Sequence, residues 1–106
     1  MTPQQYHVLF TERAAADLEG IFRYIAFQSP QNASGMIQRI ADAIDSLEMF
    51  PHRYPTIEPH PRSRPQTRMM PVGSYLVYYR VLENQQAVRV ITVRHGARQR
   101  PSRLDE

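Results

Sequence analysis

The sequence contains no cysteine and no lysine among its 106 residues. The absence of cysteine excludes disulfide bonds, thiolate catalysis and cysteine-based zinc sites, and it is consistent with a reducing compartment. No apolar run approaches the roughly 20 residues that a transmembrane helix needs. The first residues do not combine a charged segment with an apolar run, so we expect no signal peptide and no membrane partner. These absences predict a soluble cytoplasmic protein, and no motif implies a cofactor.

All 13 permanently cationic side chains are therefore arginine, and they are unevenly distributed. Residues 1–50 carry three arginines and six acids, a net charge of −3, whereas residues 51–106 carry ten arginines and four acids, a net charge of +6. Arginine makes planar, bidentate contacts with phosphate and carboxylate groups. The asymmetry favours an anionic partner for the second half of the chain, although an arginine-only composition also arises in GC-rich genomes.

Two helices are predicted in the first half of the chain, after a short β-prone run at residues 6–10. Thr11 is a good N-cap for the first helix, whose apolar residues are spaced i, i+3, i+4 and i+7 (Leu18, Ile21, Phe22, Ile25). Ser29 and Pro30 end this helix and begin a second one, which runs to Phe50 and Pro51. A connection this short predicts an antiparallel hairpin whose apolar stripes need a sheet to cover.

Three strands are predicted in the second half, after a proline-rich loop at residues 51–65. They are placed at residues 67–70, 74–82 and 87–93, separated by a turn at Gly73 and a hairpin loop at residues 83–86. The order βααβββ predicts an α+β fold, with the helical hairpin packed on one face of a small, mostly antiparallel sheet. We expect one domain over residues 1–106, with flexible ends at residues 1–5 and 99–106.

The last strand leads into a cluster of cationic and titratable side chains. Arg94, His95 and Arg98 combine two permanent cations with the side chain that titrates near neutral pH. Gly96 lies among them and allows a bend that few other residues adopt. Simple alternation along the strand places His95 on one face and Arg94 on the other, together with Val88, Val90 and Thr92.

Arginines also occur within each of the other late strands. Arg68, Arg80 and Arg94 come from three neighbouring predicted strands and can converge on one surface. Arg80 can instead pair with a helix acid such as Glu19 or Asp45, which would be a purely structural role.

Two further groups of side chains suit binding chemistry less well. His52 and His60 lie eight residues apart in the proline-rich loop, an unspecific spacing, so we predict no metal site. Tyr75, Tyr78 and Tyr79 have rings on which bases can stack. Tyrosines at strand spacing more often pack a core.

Three features of the sequence are informative together: the βααβββ order, the Tyr78-Tyr79-Arg80-Val81 strand, and the Arg94-His95-Gly96-Ala97-Arg98 string after the last strand. In these features the chain resembles the ParE branch of the RelE/ParE toxin superfamily. The resemblance covers about residues 6–98. It implies the toxin of a type II toxin–antitoxin module, silenced by a cognate antitoxin in a hetero-oligomeric complex. An apolar strip formed by helix residues is the antitoxin surface that we predict: Ile21, Ile25, Ile37, Ile40 and Ile44.

The same resemblance implies one of two activities. ParE-like toxins poison DNA gyrase and have no catalytic residues, so the target-binding residues would be Arg94, His95, Arg98, Arg80 and Arg68. RelE-like toxins are ribosome-dependent mRNA endoribonucleases, in which His95 would transfer protons and Arg94, Arg80 and Arg68 would hold the phosphate. RelE-type sites use lysine together with a late tyrosine or histidine. This chain has no lysine and no tyrosine after Tyr79, which favours gyrase.

A third hypothesis is a basic nucleic-acid-binding module without toxicity. The sequence has no recognisable reading helix and no RNA-binding aromatic motif. The basic second half alone supports this alternative.

Overall fold

A computed structural model describes residues 5–57 and 66–97. The helices and strands are β1 (His7–Phe10), α1 (Glu12–Gln28), α2 (Pro30–Asp45), β2 (Thr67–Val72), β3 (Tyr75–Leu82) and β4 (Ala87–His95). Short 3₁₀ turns occupy Ser46–Glu48, Pro51–Arg53 and Glu83–Gln85. The predicted order βααβββ is confirmed. The ends that we expected to be flexible, residues 1–5 and 99–106, lie outside the described residues except for Gln5.

The helix starts follow local chemistry. The Thr11 side chain accepts a 3.0 Å hydrogen bond from the Ala14 N–H and so caps α1. Pro30 is the first residue of α2, where the missing N–H of proline costs no helical hydrogen bond. α2 ends at Asp45, earlier than the predicted end at Phe50, because the chain tightens there into a 3₁₀ turn.

The four strands form one sheet in the order β1-β4-β3-β2. β3 is antiparallel to both of its neighbours, whereas β1 is parallel to β4. The helices cover one face of this sheet, and their buried residues Ala14, Ile40 and Ile44 join the strand residues of that face in a single core. The predicted fold class, a helical hairpin on a mostly antiparallel sheet, is confirmed.

A β-bulge at Ile91 determines which side chains share a face near the end of β4. The pairs on either side of it are Tyr78 with Thr92 and Tyr79 with Val90. A bulge shifts the alternation of side chains by one residue. Arg94 therefore lies opposite Leu76, on the face away from the helices. The prediction that Arg94 shares a face with Val88 and Val90 is wrong, because simple alternation does not anticipate the extra residue.

Beyond the end of β1, side chains of Thr11 and α1 form hydrogen bonds with polar groups of β4 that have no strand partner on that side. The Thr11 hydroxyl donates a 2.7 Å hydrogen bond to the Ile91 carbonyl oxygen. The Asp17 carboxylate accepts hydrogen bonds from the Thr92 hydroxyl and, at 3.1 Å, from the Val93 N–H. Thr92 is completely buried, so a missing acceptor would leave its hydroxyl desolvated and unpaired. These bonds fix α1 beside the end of β4.

Candidate functional site

Arg80 and Arg94 lie on the same face of the sheet, the one away from the helices. Arg80 is paired in register with Thr67 on β2 and with Arg89 on β4. The Arg80 Nε atom donates a 3.0 Å hydrogen bond to the hydroxyl of the buried Thr67, which orients the guanidinium group. The alternative in which Arg80 pairs with a helix acid is wrong, because its side chain points away from both helices.

Arg89 is a cation of this face that the sequence prediction omitted. It is exposed and lies directly opposite Arg80 on the neighbouring strand. The strand register thus concentrates positive charge at this point of the face. The alignment of Arg89 with Arg80 is a matter of strand register, which local sequence does not encode. Arg80, Arg89 and Arg94 together form a surface that we call the arginine face.

Arg68 does not belong to the arginine face. It is paired with Tyr79, so it points to the opposite side of the sheet from Arg80. Its Nη1 atom donates hydrogen bonds to the carbonyl oxygens of His52, at 3.0 Å, and of Tyr54. The predicted convergence of Arg68 with Arg80 and Arg94 is wrong. Arg68 and Arg80 belong to successive residue pairs of β2 and β3, and successive pairs point to opposite faces of the sheet. Arg68 instead holds the turn after α2 against β2.

His95 lies on the helix side of the sheet, opposite Tyr75. The two rings meet edge to face, with centroids 5.2 Å apart and an angle of 85° between their planes. The Nδ1 atom of His95 accepts a 3.1 Å hydrogen bond from the Ala97 N–H. The imidazole is thus packed and oriented by its neighbours, and one of its two nitrogen atoms is already used as an acceptor.

Gly96 lets the end of β4 approach the start of β3 closely. Its N–H donates a 2.8 Å hydrogen bond to the Ser74 carbonyl oxygen, and a Cβ atom at this position would lie 3.3 Å from that oxygen. Within residues 5–57 and 66–97, the glycine with a positive φ is Gly73, at 58°. The turn predicted at Gly73 is confirmed. The chain also turns at Gly96 and Ala97, but without the positive φ that favours glycine.

Two open clefts meet at the Tyr75–His95 pair. The first has a volume of about 560 Å³ and lies between α1 and the end of β4, where Arg13, Asp17 and Arg94 line it. The second has a volume of about 500 Å³ and lies between the helices and the β2–β3 turn, where Arg39 lines it. Three arginines thus surround a polar groove at the end of the sheet, an arrangement that suits an anionic ligand or a carboxylate-bearing partner.

The predicted antitoxin strip is divided by the structure. Ile40 and Ile44 have no exposed surface and belong to the core. Ile21 and Ile25 are half-buried and pack against that core, and Ile37 is also half-buried. The prediction is wrong for Ile40 and Ile44, because the sheet already covers them. The exposed apolar residues of α1 are instead aromatic: Phe22, Tyr24 and Phe27.

The tyrosines of β3 are poor candidates for proton transfer at neutral pH. Burial raises the pKa of Tyr79 to about 12, and its hydroxyl donates a 2.6 Å hydrogen bond to the Pro51 carbonyl oxygen. Burial also raises the pKa of Tyr75. Both hydroxyls therefore stay protonated at neutral pH.

No group of three or more metal-ligating side chains occurs within residues 5–57 and 66–97. The Nε2 atom of His52 lies 2.8 Å from a carboxylate oxygen of Glu83, whereas His60 and Arg98 lie outside the described residues. Neither helix that the structure describes has the length and apolar character to cross a membrane.

A helical hairpin on a four-stranded, mostly antiparallel sheet is the fold of solved toxins from type II toxin–antitoxin systems. The chain belongs to the ParE toxin family: the model of the ParE toxin of the type II parDE system matches residues 8–100. Toxin RelE2 of Caulobacter vibrioides is 34% identical over 91 residues, which are 86% of this chain and 96% of that protein. The resemblance stated from the sequence is thereby confirmed.

Solved structures share the fold. The chromosomal ParDE system of P. aeruginosa superposes with a TM-score of 0.69 at 17% identity, over 87% of this chain and 97% of that one. The archaeal RelE–RelB complex of Pyrococcus horikoshii gives a TM-score of 0.66 at 15% identity, over 90% and 99% of the two chains. Proteins named ParE and proteins named RelE thus have the same architecture as this toxin.

Proposed function

We propose that this toxin inhibits DNA gyrase by binding and that a cognate antitoxin neutralises it. The proposal depends on one observation above all, the position of Arg80 and Arg89 on the face of the sheet opposite to His95. Arg80 and Arg94 point away from the helices, whereas His95 and Arg68 point towards them.

That separation matters because metal-free RNA cleavage needs several groups around one phosphate. A proton-transfer group must reach the reacting oxygen while cations stabilise the developing charge on the same phosphate. Here His95 lies on the opposite face of the sheet from Arg80 and Arg89, and Arg94 is the member of the arginine face that shares a cleft with it. The Nδ1 atom of His95 accepts from the Ala97 N–H. The arrangement supports a binding surface more than a catalytic centre.

The arginine face has the chemistry of a recognition surface. Guanidinium groups bind phosphate and carboxylate through two parallel hydrogen bonds, and gyrase with its bound DNA offers both. Of the other residues predicted for the target surface, His95 lies on the helix side of the sheet, and Arg98 lies outside the described residues. Binding by exposed charges weakens as salt concentration rises, so inhibition of purified gyrase should decrease with ionic strength.

Two measurements on induced cells test this proposal. Radiolabelled precursors should show early loss of DNA synthesis with an SOS response, while translation continues. His95→Gln, which keeps size and polarity but removes proton transfer, should remain toxic. Arg94→Ala combined with Arg98→Ala should abolish toxicity. Arg23→Ala is the matched control, because Arg23 bonds to Glu19 on the exposed side of α1 and should remain toxic.

The alternative function is that of a ribosome-dependent mRNA endoribonuclease. It is favoured by the 34% identity to a protein named RelE2 and by the cleft that both Arg94 and His95 line. His95 would then be the general acid or base, and its loss should reduce cleavage roughly 10²–10⁴-fold. Codon-phased mRNA cuts in primer extension that vanish in His95→Gln cells would establish this activity and overturn gyrase inhibition.

The antitoxin partner is supported by related complexes and by exposed apolar surface. The solved relatives from Pyrococcus horikoshii and Mycobacterium tuberculosis are toxin–antitoxin complexes. In this chain the side chain of Phe27 is 90% exposed on α1, and Phe22 is 40% exposed. We expect the product of the adjacent gene to co-purify with the toxin. A toxin that stays monomeric in the presence of that product would contradict the proposal.

A further inference from the structure

Phe50 combines a strained backbone with an exposed aromatic ring. Its φ and ψ angles are 54° and 55°, in the left-handed region, which bulky side chains rarely adopt. The next residue is Pro51, and a residue before proline is normally extended. The Phe50 side chain is nevertheless 64% exposed. The conformation of Phe50 therefore costs free energy, and the exposed ring adds nothing to the core.

Arg53 holds the strained turn in place. Its Nη1 atom donates hydrogen bonds to the carbonyl oxygens of Met49, at 2.8 Å, and Phe50, at 3.1 Å. Its Nη2 atom donates a 2.6 Å hydrogen bond to the Ser46 hydroxyl. Pro51 is buried on the other side of Phe50. Strain of this kind persists only where the surrounding structure fixes it, and it is concentrated at functional positions.

The turn also carries a positive charge. The acceptors of Arg53 are carbonyl and hydroxyl oxygens, and no carboxylate of residues 5–57 or 66–97 forms an ion pair with it. Met49, 38% exposed, extends the apolar surface beside the ring. The complementary partner is a segment that brings apolar side chains to Phe50 and a carboxylate to Arg53.

This turn lies on the helix side of the sheet, because the Tyr79 hydroxyl donates to the Pro51 carbonyl oxygen, whereas the arginine face is the opposite side. The Tyr6 N–H donates a 2.9 Å hydrogen bond to the Glu48 carbonyl oxygen, and the His7 N–H donates a 2.8 Å hydrogen bond to the Gln86 carbonyl oxygen. These bonds place the turn near the start of β4. Arg94 lies at the other end of β4, seven residues beyond Ala87, which is roughly 23 Å along an extended strand. A partner bound at Phe50 thus contacts the side of the sheet opposite to the arginine face, at the end away from Arg94.

We infer that Phe50 anchors the cognate antitoxin, through an acidic segment that encloses the ring and pairs with Arg53. The inference depends on the antitoxin partner of the proposed function. An antitoxin that wraps the toxin contacts the Phe50 turn as well as the arginine face. The target contacts only the arginine face.

Glycine substitutions at two left-handed positions test the inference. Phe50→Gly removes the ring and relieves the backbone strain, and Phe50→Asn does the same with a second residue that tolerates this conformation. Gln86→Gly is the matched control, because Gln86 is the other non-glycine residue with a positive φ, 52°, in the described part of the chain. Circular dichroism and thermal unfolding should show all three variants folded.

Calorimetric titration with the purified product of the adjacent gene gives the affinities. Both Phe50 variants should bind about 30-fold more weakly, as expected for loss of an aromatic hot spot, and Gln86→Gly should bind like the parent. In cells, the Phe50 variants should stay toxic but escape neutralisation by the antitoxin.

Three outcomes would overturn the inference. Equal antitoxin affinity of the Phe50 variants and the parent would show that the ring is not an anchor. Loss of toxicity with full antitoxin affinity would assign Phe50 to the target surface instead. Failure of the parent itself to bind the antitoxin would refute the antitoxin partner of the proposed function, and the inference with it.

Discussion

The Tyr79 hydroxyl donates a 2.6 Å hydrogen bond to the carbonyl oxygen of Pro51. The bond joins the middle of β3 to the turn that follows α2, and both side chains are fully buried. Since Arg68 bonds to the carbonyl oxygens of His52 and Tyr54, successive residues of this turn are fixed to the sheet. The turn that presents Phe50 is therefore anchored at its base.

Tyr79→Phe should destabilise the toxin without affecting its target surface. The change leaves the buried Pro51 carbonyl oxygen without its donor, a loss that costs about 1–3 kcal/mol. Urea denaturation measures the free energy of unfolding. Tyr24→Phe, at an exposed position where the hydroxyl accepts from Gln28, should change that free energy by less than about 0.5 kcal/mol. Equal losses in the two variants would contradict the role of the buried bond.

Tyr79 should also make the toxin less stable at alkaline pH. Burial raises its pKa to about 12 in the folded state, compared with about 10 in an unfolded chain. The folded state therefore favours the protonated phenol, and this stabilisation is complete below pH 10 and lost as the pH rises towards 12. The free energy of unfolding should fall across that window in the parent and fall less in Tyr79→Phe. Identical slopes for the two proteins would refute the prediction.

Two glycine-to-alanine changes should have opposite effects on stability. Gly20 lies within α1, and a Cβ atom there would meet nothing within 4 Å, so Gly20→Ala should stabilise the fold by about 0.5–1 kcal/mol. Gly73 has a φ of 58°, so Gly73→Ala should cost about 1–2 kcal/mol. Its added methyl group would also lie 3.2 Å from the Nη1 atom of Arg39. Thermal unfolding should give shifts of opposite sign, and shifts of the same sign would contradict these assignments.

Asp17 should be important for stability because it satisfies buried groups on β4. Asp17→Leu removes the acceptor for the Thr92 hydroxyl and the Val93 N–H, and we expect it to lower the free energy of unfolding by at least about 2 kcal/mol. Asp17→Asn retains one acceptor oxygen and should cost less. Asp42→Asn is the control, since Asp42 accepts from Gln38 on an exposed surface. A loss of similar size at Asp42 would show that the method reports net charge rather than buried hydrogen bonds.

The parts of the fold that the sequence predicts correctly are those encoded by neighbouring residues. Thr11 caps α1 through its own side chain, and Pro30 begins α2 by its missing N–H. The turn at Gly73 follows from the one residue type that readily adopts a positive φ. Such signals do not depend on the rest of the chain.

The composition of the site was harder to predict because it depends on pairing between distant segments. The bulge at Ile91 arises from the register of β3 with β4, and it alone moves Arg94 to the arginine face. The β2–β3 register likewise separates Arg68 from Arg80. The helical spacing of Ile40 and Ile44 identified an apolar stripe, but not that the sheet would cover it completely.

The sheet order β1-β4-β3-β2 places the first strand beside the last. During synthesis, β1 leaves the ribosome long before Ala87 and the residues that follow it have been made. The helical hairpin and the β2–β3 pair can form earlier, since their contacts are local. A nascent chain arrested before β4 should therefore remain open to limited proteolysis, and release of the finished strand should close it. The arginine face is likewise assembled only after β4 has been synthesised.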